Sequence, residues 1–269
     1  MIDAAVARLS QSIAHWSAAI GRRVAIDADI LDSRARLQGF APQGQVSANS
    51  SCRLLVARDG WVALNLPRAE DWELMSAWLR CDLPRPGWDD IAAVIADQPA
   101  GELVSRAALL GLAAALPGEA GAGALAPKGD VEIGRARCST PVVLDLSALW
   151  AGPLAASIFA QAGAEVVKVE SAQRPDPTAR RSADFDALLN GMKRRVTLDF
   201  GDPAQRARLH KLLDEADIVI TSARPRGLAS IGLLPALRQS RACGRLWIAI
   251  TAHGMGRGAG RIGFGDDCA

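Results

Sequence analysis

Apolar side chains fall at Ile2, Val6, Leu9, Ile13, Trp16 and Ile20, three and four residues apart. That period predicts an amphipathic helix over 2–20. Residues 40–51 are polar and rich in turn formers, and predict a loop. In 53–66, RLLVARDGWVALNL, two apolar runs flank Asp59-Gly60, which predicts a hairpin of short strands. Helical spacing returns over 70–80, 88–97 and about 101–114. Acids near the starts of these segments suit the positive end of a helix dipole. The span 117–139 is dominated by Gly, Ala and Pro and predicts a linker.

Beyond 140 the pattern changes to short apolar runs alternating with amphipathic ones. Strands are predicted at 142–146, 165–169, 217–221 and 246–250, and helices at 153–162, 203–215 and 232–238. Asp202-Pro203 supplies a capping carboxylate followed by proline at the first helical position. Strand alternating with helix implies a parallel sheet covered on both faces. The expected fold class is therefore α/β: a Rossmann-like, mostly parallel sheet in the C-terminal half, preceded by a smaller α+β module. The expected division is 1–116 for the α+β module, 117–139 for the linker and 140–269 for the Rossmann-like region, read as incomplete.

Composition narrows the partners more than the fold. The 269 residues are 49% hydrophobic and 22% charged, ordinary for a soluble globular chain. A formal net charge of +2 gives no sign of a nucleic-acid partner. No apolar run reaches the roughly 18 residues of a membrane span, and the first residues do not read as a signal peptide. Five cysteines, at 52, 81, 138, 243 and 268, form no CxxC pair, which points to reduced thiols and a cytoplasmic location. His15, His210 and His253 are scattered, so no metal site is expected. The chain has no Tyr.

The chemistry-bearing stretch is Val142 to Glu170, a strand, a glycine-bearing turn, a helix and a second strand ending in an acid. Such a βαβ unit binds nucleotide-like ligands at the carboxyl edge of its sheet. The turn Ser147 to Pro153 contains only Gly152, not the G-x-G-x-x-G of a dinucleotide loop. Four further blocks follow in order: Asn190 to Asp199 (NGMKRRVTLD); Ala216-Asp217 through Arg224-Pro225; Ile231-Gly232-Leu233; and Arg245 to Ile250 with Gly254, Gly256 and Gly263-Phe264. Together with the AGP turn and GAEVVKVE, these resemble the family III CoA-transferases, over roughly residues 140–265.

The resemblance implies a chain that moves CoA between carboxylic acids, with CoA as a substrate and no tightly bound cofactor. Its partners would be a CoA thioester and a carboxylic acid. Leu149, Trp150 and Ala151 fall on positions that contact the adenine end of CoA. Lys193, Arg194, Leu198 and Arg224 fall on further binding positions, the cations suiting the phosphates. Asp176 and Arg180 are similar to the family's G-D-x-x-R segment, with Pro175 in place of the glycine. Ser222-Ala223 replaces an N-F pair, and Thr251-Ala252-His253 replaces S-G-F. Asp59-Gly60-Trp61 resembles a segment of the family's small domain, here preceding rather than following the CoA-binding region.

The family's nucleophile is an aspartate beyond the glycine-rich loop, which forms an acyl anhydride and then a CoA thioester. Asp266 and Asp267 align before that segment, so the catalytic residue is unknown and the chain is expected to be C-terminally truncated. The histidine of the related racemases' G-H-D motif is also absent, since Gly263-Phe264-Gly265-Asp266 stands there. Whether the chain alone is an enzyme stays open. A homodimer, or a partner subunit completing the site, is expected. Two alternatives remain. One is an S-adenosylmethionine-dependent methyltransferase, with Glu170 holding ribose hydroxyls. The other is a noncatalytic CoA-binding protein.

Overall fold

The computed structural model describes residues 2–19, 22–26, 29–41, 44–119, 140–240, 242–256 and 258–268. Most of the expected linker, together with Cys138, lies outside the described residues. The chain forms two compact units, each built from two stretches of sequence. One takes the described residues within 1–39 and 132–250; the other takes those within 40–131 and 251–269.

The first unit holds a parallel sheet of five strands: β4 (Val142–Leu146), β5 (Glu165–Ser171), β6 (Arg194–Leu198), β7 (Ile218–Thr221) and β8 (Leu246–Ala249), in the order β6-β5-β4-β7-β8. Side chains alternate between its faces. Leu144, Val167, Val169, Val196 and Val219 pack with Leu209 and Leu213 of α10 (Pro203–Glu215). Val143, Val166 and Ile220 pack with Ala156 and Ala160 of α7 (Ala151–Gln161). This is the expected α/β class. Both faces are covered, and for that reason the strands read as near-continuous apolar runs. The N-terminal helix α1 (Ile2–Ala19) belongs to this unit, with Trp16 edge-on to Phe159, ring centroids 6.1 Å apart.

The second unit is built on β1 (Cys52–Ala57), β2 (Gly60–Asn65) and β3 (Ala113–Ala115), an antiparallel sheet of order β1-β2-β3. The β1–β2 register pairs Ala57 with Gly60, so Arg58 and Asp59 make the turn of the expected hairpin. Asp59 Oδ1 accepts the Ala100 N–H at 2.7 Å and ties that turn to α6 (Ala100–Leu110). Met75, Trp78, Ile91, Ile95 and Leu103 fill the core. The Trp78 indole N–H donates to the Leu103 carbonyl at 2.9 Å.

Several elements differ from the sequence expectation. The helix expected to about 114 stops at Leu110, because Gly111 turns left-handed (φ +72) and caps it; Ala113–Ala115 then pair with β2. The helix expected over 70–80 is two short ones, α3 (Ala69–Glu73) and α4 (Met75–Leu79), broken at Leu74. The helix expected over 232–238 is α12 (Leu234–Gln239), and Gly232 at φ +78 separates it from α11 (Pro225–Ser230), which was not expected. Strand β6, α8 (Thr178–Arg181) and α9 (Ala183–Asn190) were not expected. Among the described residues no helix is long and apolar enough to cross a membrane.

The cap of α10 is as expected. Asp202 Oδ1 accepts the Ala204 N–H at 2.8 Å, and Gln205 donates to Oδ2 at 2.9 Å. Bonding to the Gln205 side chain first, and to the Ala204 N–H second, holds this carboxyl below the ordinary aspartate value. A depressed carboxyl stabilises fully above the unfolded aspartate value and loses that contribution as pH falls through its folded value. Asp202→Ala is therefore expected to lower the melting temperature at neutral pH. The gap to wild type should narrow as pH drops below the ordinary aspartate range. A constant gap across a pH series of thermal melts would refute the assignment.

Candidate functional site

The strand order reverses at β4: the chain leaves it to one side for β5 and β6, and to the other for β7 and β8. A crevice opens beyond the carboxyl ends of strands at such a switch point. The turn 147–150 leads out of β4 there and into α7.

Two charged residues sit within the apolar strands beneath this turn. Asp145 of β4 pairs in register with Lys168 of β5, and both are fully buried. A buried charge persists only where it is paired and hydrogen-bonded. Lys193 Nζ donates to Asp145 Oδ2 at 2.8 Å, to the Pro153 carbonyl at 2.8 Å and to Asn190 Oδ1 at 2.9 Å, so its three protons are all engaged. Burial pulls the Lys193 ammonium below the ordinary lysine value, against the opposing pull of Asp145. Asp145 Oδ1 accepts the backbone N–H of Ser147 at 3.0 Å and also its hydroxyl. Lys168 donates to the Ser147 carbonyl and lies 3.6 Å from Asp176 Oδ2.

Asp176 carries the network to the outer part of the turn. Its Oδ2 accepts the Leu149 N–H at 3.0 Å, and its Oδ1 accepts the Thr178 hydroxyl at 2.7 Å. Leu149 is a non-glycine residue at φ +71, a conformation that costs free energy unless its surroundings fix it. Asp176 is what fixes it here. On the other side, Ala148 donates to Ser222 Oγ at 2.9 Å, binding the turn to the segment that follows β7. At the helix start, a Cβ added to Gly152 would stand 2.3 Å from Ser147 Cβ and Oγ, so only glycine fits.

The turn thus presents a rigid rim. Leu149 and Ala151 are exposed. The Trp150 ring lies edge-on to Phe185, centroids 6.2 Å apart, and its indole Nε1 is buried with no hydrogen-bond partner among the described residues. Arg224, half-buried, caps α11 just beyond β7 at the same sheet edge. The structure therefore brings Leu149, Trp150, Ala151 and Arg224 to one edge. It sets Lys193 beneath them, as an internal strut. The other two residues expected in the site lie elsewhere. Arg194 opens β6 at its amino end, level with Val167, and pairs with Glu165 at 3.4 Å on the surface. Leu198 closes β6 within the α10-side core. Asp145, Lys168 and Ser147 are the residues that sequence reasoning missed. A lone acid in VVLDL and a lone lysine in EVVKVE were the available signal.

Residues 141–266 match the sequence model of CoA-transferase family III. A probable fatty acyl-CoA transferase of Mycobacterium tuberculosis is 30% identical over 125 residues, covering 42% of this chain and 30% of the relative. The alpha subunit of a succinyl-CoA–L-malate CoA-transferase from Chloroflexus aurantiacus is 33% identical over 121 residues, covering 42% of this chain and 28% of its own. Among solved structures, a CaiB/BaiF family protein of Brucella suis is 30% identical, covering 46% of this chain and 36% of that one, with a TM-score of 0.40. The chain thus spans under a third of the length of the curated relatives named here.

Proposed function

We propose that this chain, whose residues 141–266 match CoA-transferase family III, binds the CoA part of a thioester at the β4–β7 edge, within a transfer of CoA between carboxylic acids. The single observation that carries the reading is the turn after β4, braced from below by Asp145, Lys168, Lys193 and Asp176. Bracing of this kind costs nothing at the moment of binding, which is what a preorganised site requires.

In this reading Leu149, Trp150 and Ala151 offer an apolar rim to the adenine end. The Arg224 guanidinium faces a phosphate, where charge-assisted bonding is strongest. Lys193 is a positioning residue, because its ammonium is already engaged three times over. No residue of this chain is assigned as the nucleophile, and the aspartyl route of the family is proposed only for an assembly that supplies one.

Calorimetric titration with CoA and with S-adenosylmethionine tests the assignment. The expected result is saturable CoA binding and none of S-adenosylmethionine. Arg224→Ala should bind CoA about 10- to 100-fold more weakly, the loss of one hydrogen bond to a charged group. Binding of S-adenosylmethionine instead, or CoA binding indifferent to Arg224, would overturn the reading. CoA binding without turnover, once a thioester and an acid are supplied, would identify a noncatalytic CoA-binding protein.

A further inference from the structure

The second unit contains a cluster that the CoA reading does not use. One ring nitrogen of His253, one carboxylate oxygen of Asp267 and the Cys268 sulfur all lie within 4.8 Å of one another. Gly263 packs against two of the three, Asp267 and Cys268. A Cβ on Gly263 would come within 2.5 Å of Cys268 Sγ and 2.9 Å of Asp267 Oδ2, so the loop closes this tightly only through glycine.

We propose that His253, Asp267 and Cys268 are the three protein ligands of a zinc ion, with the fourth position open to water. Imidazole, carboxylate and thiolate are the donors zinc accepts, and a tetrahedral ion would hold them about 3.5 Å apart. Cys268 Sγ and Asp267 Oδ2 are already 3.3 Å apart.

The second observation is an orphan. The His253 side chain is only 9% exposed, and its Nε2 is buried with no hydrogen-bond partner among the described residues. A buried imidazole nitrogen without a partner carries a free-energy cost that ligation would remove. The other ring nitrogen is oriented as metal-binding histidines usually are, towards a carboxylate. Nδ1 lies 3.4 Å from Glu119 Oε1, and Arg261 holds that same oxygen at 2.7 Å. Asp267 is prepared in the same way. Its Oδ1 accepts from Asn65 Nδ2 at 3.0 Å and from the Phe264 N–H at 2.8 Å, which leaves Oδ2 for the ion. As the zinc–sulfur bond forms, the Cys268 thiol gives its proton to solvent. The site would fasten the 251–268 segment to the β1–β2 hairpin through Asn65.

The test uses the full, untagged chain, stripped with a chelator and dialysed. Zinc competition against a chromophoric chelator should show one ion per chain, and zinc should raise the melting temperature. Cobalt in its place should give a thiolate charge-transfer band and the intense visible bands of a tetrahedral ion. His253→Ala and Cys268→Ser should each weaken zinc binding at least 100-fold, and Cys268→Ser should abolish the charge-transfer band. Glu119→Gln, which leaves all three ligands in place, should weaken binding about 10- to 100-fold. Equal melting temperatures of Cys268→Ser and wild type in chelator would show that the variant still folds. The proposal fails if wild type binds no stoichiometric zinc. It also fails if affinity is indifferent to His253 and Cys268, or if the cobalt band survives Cys268→Ser.

Discussion

Lys193→Met should destabilise the parallel-sheet unit by about 3–5 kcal/mol, the cost of leaving a buried carboxylate without its partner. Methionine keeps most of the volume of the lysine stem, so the effect isolates the charge. What remains is Asp145, fully buried, without the ammonium that bonded its Oδ2. The Pro153 carbonyl and the Asn190 side chain lose their donor in the same step. Denaturant unfolding measures the loss, and a value below about 1 kcal/mol would mean that the strut is dispensable. Adding Asp145→Leu should recover much of the deficit, because an apolar pair of similar volume no longer has to be desolvated. CoA affinity should not recover with it, since Ser147 would have lost both its bonds to Asp145.

The second large effect is expected at Gly152. In Gly152→Ala the new methyl would need space already taken by Ser147 Cβ and Oγ, 2.3 Å away. Ser147 cannot step aside cheaply, because its hydroxyl is bonded to the buried Asp145. Overpacking plus the loss of that bond should cost about 2–4 kcal/mol. CoA binding should fall more than tenfold, as the start of α7 and the Leu149 conformation shift together. Removing the obstacle in Ser147→Gly/Gly152→Ala should restore stability in part. If the single variant melts with wild type, the contact at the helix start is not a constraint.

The sheet was legible in the sequence because strands buried on both faces leave dense apolar runs, and four of the five were placed within a residue or two. The fifth, β6, reads RRVTL and lies at the sheet edge, where its charged residues blur the signal. The run Ala113–Ala115 reads as helix because alanine favours helix; pairing with β2 overrides that preference. The sequence blocks single out Lys193 and Arg224 alike, without distinguishing their surroundings. A lysine that faces a ligand and one turned towards Asp145 look the same in one dimension. The consecutive division of the chain also gave no hint that each unit is discontinuous. Residues 251–268 have no periodicity and reveal their unit only through pairs such as Arg261 with Glu119 and Asn65 with Asp267.

That discontinuity bears on how the protein matures as it is made. The Asn65–Asp267 bond joins residues 202 positions apart. At synthesis rates of about 5–20 residues per second, Asn65 waits roughly 10–40 s for its partner. The hairpin that is translated early therefore belongs to the unit that is finished late. The parallel sheet, whose last strand ends at Ala249, has all its strands before then. During the interval the buried face meant for residues 251–268 is open to chaperones or to other nascent chains. Slowing translation between residues 66 and 250 would lengthen that exposure without altering a single contact in the finished molecule.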